Sequence, residues 1–320
     1  MAWDMRSLQK LQRDTGFKAD FLEKTYHITR ILAAVSGADG LRDCLALKGG
    51  TALNFIFLDV PRLSIDLDFN FVGALEKEDM LAQRPDVVKR LRELAMSMGY
   101  QFIKKPSSYI MDRFLLRYSR LNGLPDSVRI EINFLERVPF LRIERESFHD
   151  LFDSKRFEVN TYAVEEIAAM KTKAMVERLY ARDIFDVHQM AKLRLENVTL
   201  RKLMILYMLM AGKSPEIDAL VSRVQKYDDG DILTAMRPFL REGEEERLNP
   251  GKIKAEVARF YRNVFVLEDD DKRFLKAIES GKLDLKLLFA GKNFDPRASK
   301  HPALLRALDN KAKRGRNNGD

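Results

Sequence analysis

The residues of this chain best suited to chemistry are two aspartates two positions apart. Asp66 and Asp68 lie in LSIDLDFNF (63–71), where Leu63, Ile65, Leu67, Phe69 and Phe71 alternate with Ser64, Asp66, Asp68 and Asn70. A period of two marks a strand with one buried face, and it gathers the four polar side chains on the other, neighbours roughly 6–7 Å apart. Two carboxylates so placed can share hard divalent cations, Mg²⁺ or Mn²⁺ rather than zinc. The reactions such ions serve are phosphoryl and nucleotidyl transfer, which ask the protein for positioning and charge rather than covalent help. A second alternating run, SVRIEINFL (127–135), sets Arg129, Glu131 and Asn133 against Val128, Ile130, Ile132 and Phe134. Glu131 is thus a candidate third metal ligand if the two strands are neighbours. Upstream, Gly49 and Gly50 fall between a strand pattern and a helical one, where a backbone without side chains can approach a triphosphate closely. A lone D-x-D pair is usually just a solvated strand face, and a lone Gly-Gly says less. The three features in succession are far more specific.

A sheet and its helices must position these groups. Residues 16–36 carry Phe17, Phe21, Tyr26, Ile28, Ile31, Leu32 and Val35 close to helical spacing, which predicts an amphipathic helix. Leu41 to Leu47 reads as a buried strand with Cys44 as a small core residue, and TALNFIFL (51–58) as a helix. Residues 77–98 predict a helix with Val87, Val88, Leu91, Leu94 and Ala95 turned inward. The strand pattern of YIMDRFLLRYS (109–119) is joined to 127–135 by Gly123, Pro125 and Asp126, which predicts a hairpin. Residues 163–180 and 183–194 read as helices, and from 198 the pattern is helical throughout. The expected fold class is α+β: an α+β domain over 1–160, a helical domain over 161–310, and a basic, frayed tail at 311–320.

The composition is that of a folded globular protein, with 46% hydrophobic and 32% charged residues among 320. One cysteine excludes an internal disulfide and a cysteine-built zinc site. Charged residues interrupt every apolar stretch of the first thirty positions, and no later segment suits a membrane span, so a cytoplasmic protein is expected. A net charge of +8 favours polyanionic partners. Lys272, Arg273, Lys276, Lys282, Lys286, Lys292 and Arg297 are a candidate face for RNA.

Lys48-Gly49-Gly50-Thr51-Ala52-Leu53, followed by Arg62-x-Ser64-x-Asp66-Leu67-Asp68-Phe69, resembles the core motif of the AbiEii/AbiGii toxin family, which includes the MenT-type toxins and belongs to the DNA polymerase β-like nucleotidyltransferases. The resemblance continues through Arg129 to Asn133, Glu166 to Lys171, and Arg182 to Asp186. It implies a mixed sheet with flanking helices and a helical C-terminal part. It also implies a toxin of a toxin–antitoxin or phage-defence system that binds an NTP and Mg²⁺, and whose relatives add nucleotides to the 3′ end of tRNA and block aminoacylation. The implied roles are metal binding and catalysis for Asp66 and Asp68, and nucleotide binding for Lys48, Gly49, Gly50, Thr51, Arg62 and Ser64. Lys171 would contact the phosphates, and Asp183 or Asp186 would complete the site.

Periodicity alone gives Lys171 no such role. In AVEEIAAMKTKAMVERL the buried stripe is Val164, Ile167, Ala168, Met175 and Leu179, a lysine there belongs on the surface, and Lys173 competes with it. An Arg182–Asp186 pair at i, i+4 is the plain alternative for one aspartate, and His188 reads as structural. Three functions stay open: an NTP-dependent transferase acting on tRNA, a transferase acting on a protein hydroxyl, and a non-catalytic NTP- or RNA-binding partner of an antitoxin protein.

Overall fold

Alternating runs become strands, and in the computed structural model, which describes residues 3–153, 156–289 and 294–317, they pair into one mixed sheet. In chain order the strands are β1 (Leu45–Lys48), β2 (Asp66–Phe71), β3 (Gln101–Lys104), β4 (Met111–Ser119), β5 (Pro125–Asn133), β6 (Ile143–Phe148) and β7 (Phe157–Tyr162). Their spatial order is β3-β4-β5-β2-β1-β7-β6. The acidic strand β2 is central, antiparallel to β1 and parallel to β5. The expected hairpin is β4–β5.

The helices are α1 (Met5–Thr15), α2 (Ala19–Gly37), α3 (Gly49–Ala52), α4 (Lys77–Ser97), α5 (Val164–Glu177), α6 (Ala181–Met190), α7 (Asn197–Met210), α8 (Ile217–Gln225), α9 (Asp229–Met236), the single turn α10 (Glu244–Arg247), α11 (Pro250–Val264), α12 (Asp269–Glu279), α13 (Leu285–Phe289) and α14 (Pro302–Asn317). The chain forms two units. The first comprises Met1–Arg137, Ile143–Tyr162 and Met236–Leu248, and the second Val138–Arg142, Ala163–Ala235 and Asn249–Asp320.

In the first unit α2 packs on β2, β5 and β7, and α4 packs on α2 and the edge strand β3. Leu67, Phe69 and Phe71 of β2 are buried, as the alternation requires. The return segment 236–248 is pinned here by the Leu63 amide donating to the Phe239 carbonyl at 2.9 Å and the Glu242 amide donating to that of Gly16 at 2.8 Å. The second unit is built around α7, whose residues from Leu200 to Met210 are all buried and which packs on α5, α11 and α14. A helix buried on every side belongs at the centre of its bundle, and its two charged residues, Arg201 and Lys202, are buried with it. Val138–Arg142 is tied to α5 through Glu166, whose carboxylate accepts the Phe140 and Leu141 amides at 2.8 Å each.

Several expectations are corrected. Residues 41–44 are turn rather than strand, because the Arg42 and Leu45 amides bond helically to Ala38 and Leu41. The helix expected at 51–58 tightens only through Ala52 and then widens into a π turn, Leu53–Phe57. The polar face of β2 is not open along its whole length: Asn70 is fully buried, its amide donating to the Tyr162 hydroxyl at 2.8 Å. α14 runs through 311–317, where a frayed tail is expected, and 318–320 lie outside the described residues. Among the described residues no helix is long and apolar enough to cross a membrane.

Candidate active site

The double glycine is dictated by what crowds against it. Gly49 opens α3 with φ +74°, a left-handed backbone, and a Cβ there would stand 2.6 Å from Oδ2 of Asp68. Both facts exclude any other residue without strain. A Cβ on Gly50 would stand 2.7 Å from the Arg62 guanidinium and 3.1 Å from the Ser64 hydroxyl. The missing side chains are thus replaced by an aspartate, an arginine and a serine converging on one stretch of backbone. Thr51, fully buried, places its hydroxyl 3.0 Å from that of Ser64 and donates to the Asp66 carbonyl. Asn54 donates to the Gly50 carbonyl at 2.8 Å. Arg62 is buried and donates to the Leu63 carbonyl at 2.9 Å, and the Leu63 amide is held by Phe239. Lys48, the last residue of β1, stands 3.4 Å from Glu136.

The strand register completes the neighbourhood. Asp66 lies opposite Arg129 and Asp68 opposite Glu131 on the parallel strand β5, so the condition set for Glu131, that its strand adjoin β2, is met. Arg129 grips Asp66 as a two-pronged fork, Nε to Oδ1 at 3.1 Å and Nη2 to Oδ2 at 2.7 Å. Glu131 is held by Arg113 of β4 at 3.0 Å. Burial would lower the Arg129 guanidinium's affinity for its proton, but the bond to Asp66 and the negative charges of Asp66, Glu131 and Asp68 outweigh it and raise it. All three acidic side chains therefore act on one guanidinium.

The donor set suits a hard cation. Among the described residues no three acidic, histidine or cysteine side chains close into a ready-made cage. Mg²⁺ does not need one, since it binds through one or two carboxylates and takes its other ligands from water and substrate phosphates. Asp66 and Asp68, adjacent on one strand face and partly exposed, supply two.

The second unit holds the other motif residues, and there the two lysines part company. Lys173 is at the surface, 3.2 Å from Glu177. Lys171 is buried, its ammonium 2.9 Å from Asp183 and 2.7 Å from Asp186. Both aspartates share this lysine, so Asp186 has a partner other than the Arg182 that helical spacing offers. Burial would push the Asp183 carboxyl up, but the charges of Lys171 and Arg178 outweigh it and hold it below the ordinary carboxylate range. Arg178 reaches Asp183 at 3.1 Å. His188 stands 3.1 Å from Glu256, and burial lowers its pKa.

The sequence reading gave Arg129, Arg113 and Arg178 no part. Arg129 was legible in principle, since Arg-x-Glu on an alternating strand puts a cation and a carboxylate on the same face. The pairing of Arg113 with Glu131 depends on hairpin register, which spacing alone does not reveal.

A mixed sheet with a Gly-Gly turn laid against an i, i+2 pair of aspartates on its central strand defines a nucleotidyltransferase, and comparison with known proteins narrows the class. The family model described as Nucleotidyl transferase AbiEii toxin, Type IV TA system, matches residues 30–280, and the chain belongs to this family of nucleotidyltransferase toxins. MenT4, a nucleotidyltransferase toxin from Mycobacterium tuberculosis H37Rv, is similar in structure, with a TM-score of 0.64 at 19% identity over 85% of this chain and 93% of that one. That likeness concerns the fold. A candidate nucleotidyltransferase from H. pylori aligns over 84% of this chain and 100% of its own with 17% identity and a TM-score of 0.48. No curated protein matches the chain in sequence.

Proposed function

We propose that this toxin transfers a nucleotide from an NTP to the 3′ end of tRNA in a Mg²⁺-dependent reaction, and that the modified tRNA no longer supports translation. The observation that carries the proposal is the contact of Asp68 with the bare backbone of Gly49, beside Asp66 on the same strand face. It brings carboxylates for a cation and a side-chain-free approach for phosphates to one place. Asp66 and Asp68, with Glu131 beside them, would hold the ion, which would supply Lewis acidity toward the acceptor hydroxyl and charge to offset that of the α-phosphate. Arg62 and Ser64, reaching over Gly50, with Lys48 and Thr51 at the same turn, orient the triphosphate. For Lys171, whose ammonium is held by Asp183 and Asp186, the phosphate contact rests on the family resemblance alone. The net charge of +8 supports an RNA acceptor. The reaction belongs in the cytoplasm, where NTP, tRNA and the antitoxin are found together.

The test incubates the purified protein with total tRNA and each labelled NTP separately, with Mg²⁺ and with EDTA. Label at the tRNA 3′ end, from one NTP and only with Mg²⁺, is the expected result. Label on protein instead would move the acceptor to a side-chain hydroxyl. NTP binding with no label anywhere would make the chain a binding module.

A further inference from the structure

In the basic stretch that the sequence singles out, 272–297, half of the described cations are paired with acidic neighbours, while Lys276, Lys282 and Lys286 are exposed. Lys272 is 3.8 Å from Asp269, Arg273 is bonded to Asp270, and Arg297 is 2.6 Å from Asp295. Lys292 lies outside the described residues. Phosphate contacts need cations whose charge is not already spent on a neighbour, and elsewhere in the helical unit such cations line a groove beside an aromatic ring.

A groove of about 470 Å³ opens between the end of α6 with the turn after it and the C-terminal half of α11. It is lined by Lys192, Arg194, Asn197, Arg259, Phe260 and Asn263, among others. Arg194 and Arg259 are exposed, and neither is ion-paired or hydrogen-bonded to any described residue. Lys192 has only a neutral partner, Gln189 at 2.8 Å. The one acidic residue in the lining, Glu256, has Lys252 at 3.8 Å as its cationic neighbour and His188 at 3.1 Å. The neighbouring Glu196, though exposed, is committed to capping α7, accepting the Val198 and Thr199 amides. The same lining carries the half-buried ring of Phe260 and the carboxamides of Asn197 and Asn263, which no described group engages.

We propose that this groove binds single-stranded RNA. Arg194, Arg259 and Lys192 would take consecutive phosphates, Phe260 would stack under an unpaired base, and the asparagines would read its edge. The volume suits one or two nucleotides. Cations along a backbone with an aromatic platform between them are what single-strand recognition uses. An acidic protein segment would use the cations and leave the ring and amides without purpose, so charge complementarity together with the aromatic surface favours RNA. The proposal rests on the reading of RNA as acceptor, but concerns RNA binding and not transfer.

The test measures fluorescence anisotropy of a labelled single-stranded RNA and of tRNA with the full chain across a salt series, beside Mg²⁺·NTP binding and the transfer assay. Arg194→Ala/Arg259→Ala is expected to raise the RNA Kd about tenfold or more and to flatten the salt dependence by about two phosphate contacts. Phe260→Leu should weaken RNA about fivefold or more with the salt slope unchanged. Both variants should keep the wild-type melting temperature and NTP affinity, whereas Lys272→Ala/Arg273→Ala should bind RNA as wild type does. Equal RNA affinity in wild type and the Arg194→Ala/Arg259→Ala variant overturns the groove and leaves the transferase reading standing. Loss of RNA binding in that variant while wild type transfers nothing to RNA upholds the groove and removes the transferase reading. No RNA binding by wild type, or displacement of RNA by poly-L-glutamate at equal charge as readily as by unlabelled RNA, overturns the proposal.

Discussion

Replacing Lys171 by methionine asks how much of the helical unit rests on one buried ion group. The ammonium lies 2.9 Å from Asp183 and 2.7 Å from Asp186, and the three side chains are 9%, 1% and 0% exposed. Removing one partner from a buried pair costs about 3–5 kcal/mol, because the desolvated charge left behind loses its counter-charge. Arg178 keeps its bond to Asp183, but its own side chain is 52% exposed and screened by solvent. At about 2–4 °C per kcal/mol for a unit of this size, the melting temperature should fall by roughly 6–20 °C. The pH dependence fixes the cause. In wild type, Asp183 is held below the ordinary value of 3.8, so its contribution is present above that pH and lost as pH falls through the folded value. In Lys171→Met burial acts with much less opposition and pushes the buried carboxyls up, so protonation relieves the variant and its deficit should shrink between pH 7 and pH 5. Asp186→Asn added to Lys171→Met should recover part of the loss. Thermal melts at the two pH values read all three effects. A melting temperature within about 2 °C of wild type at pH 7, or a deficit that grows on acidification, would refute the reasoning. Lost activity in a Lys171 variant therefore has to be corrected for stability before it is assigned to a phosphate contact.

Gly49→Ala should lower stability by about 1–2 kcal/mol from the left-handed backbone alone and displace Asp68, so transfer should fall further than the melting temperature suggests; an NTP titration and a melt separate the two effects. Glu166 is fully buried, and burial raises its carboxyl to about 7 against the bonds from Phe140, Leu141 and Tyr207. The folded state then holds a proton that the unfolded state releases near 4.5, so stability should fall as pH rises from 4.5 through 7. Urea melts should show this slope in wild type and not in Glu166→Gln. Expression of the chain without an antitoxin should slow bacterial growth, and Asp68→Ala at equal expression should restore it.

What could be read from the chain followed the strength of its local patterns. β2, β4 and β5 alternate cleanly over several residues and are found where the pattern sets them, whereas β3 and β6 are short edge strands with mixed burial, which leaves no clear period to detect. The turn at 41–44 runs into β1 with no glycine or proline between them, and only its hydrogen bonds to Ala38 and Leu41 reveal it. Motif order brought Asp66, Asp68, Gly49 and Gly50 to attention, and the structure places them together. The burial of Lys171 was not legible, because a lysine enters a core only when carboxylates from elsewhere meet it, here from the next helix. The segment 236–248 reads as part of a continuous helical domain. It returns to the first unit because Phe239 packs on Phe21 and accepts the Leu63 amide, contacts distant in sequence.

The central claim is that Asp66 and Asp68 are there to hold a cation for nucleotidyl transfer, and Asp68→Asn tests it most directly. The substitution keeps the size of the side chain and its fit against Gly49 but removes one hard anionic ligand. Transfer measured with labelled NTP and tRNA should collapse by several orders of magnitude, while Mg²⁺ with NTP raises the melting temperature of wild type and not of the variant. A variant that folds and transfers nucleotides at the wild-type rate would contradict the account, and the carboxylates of β2 would then be no more than a solvated strand face.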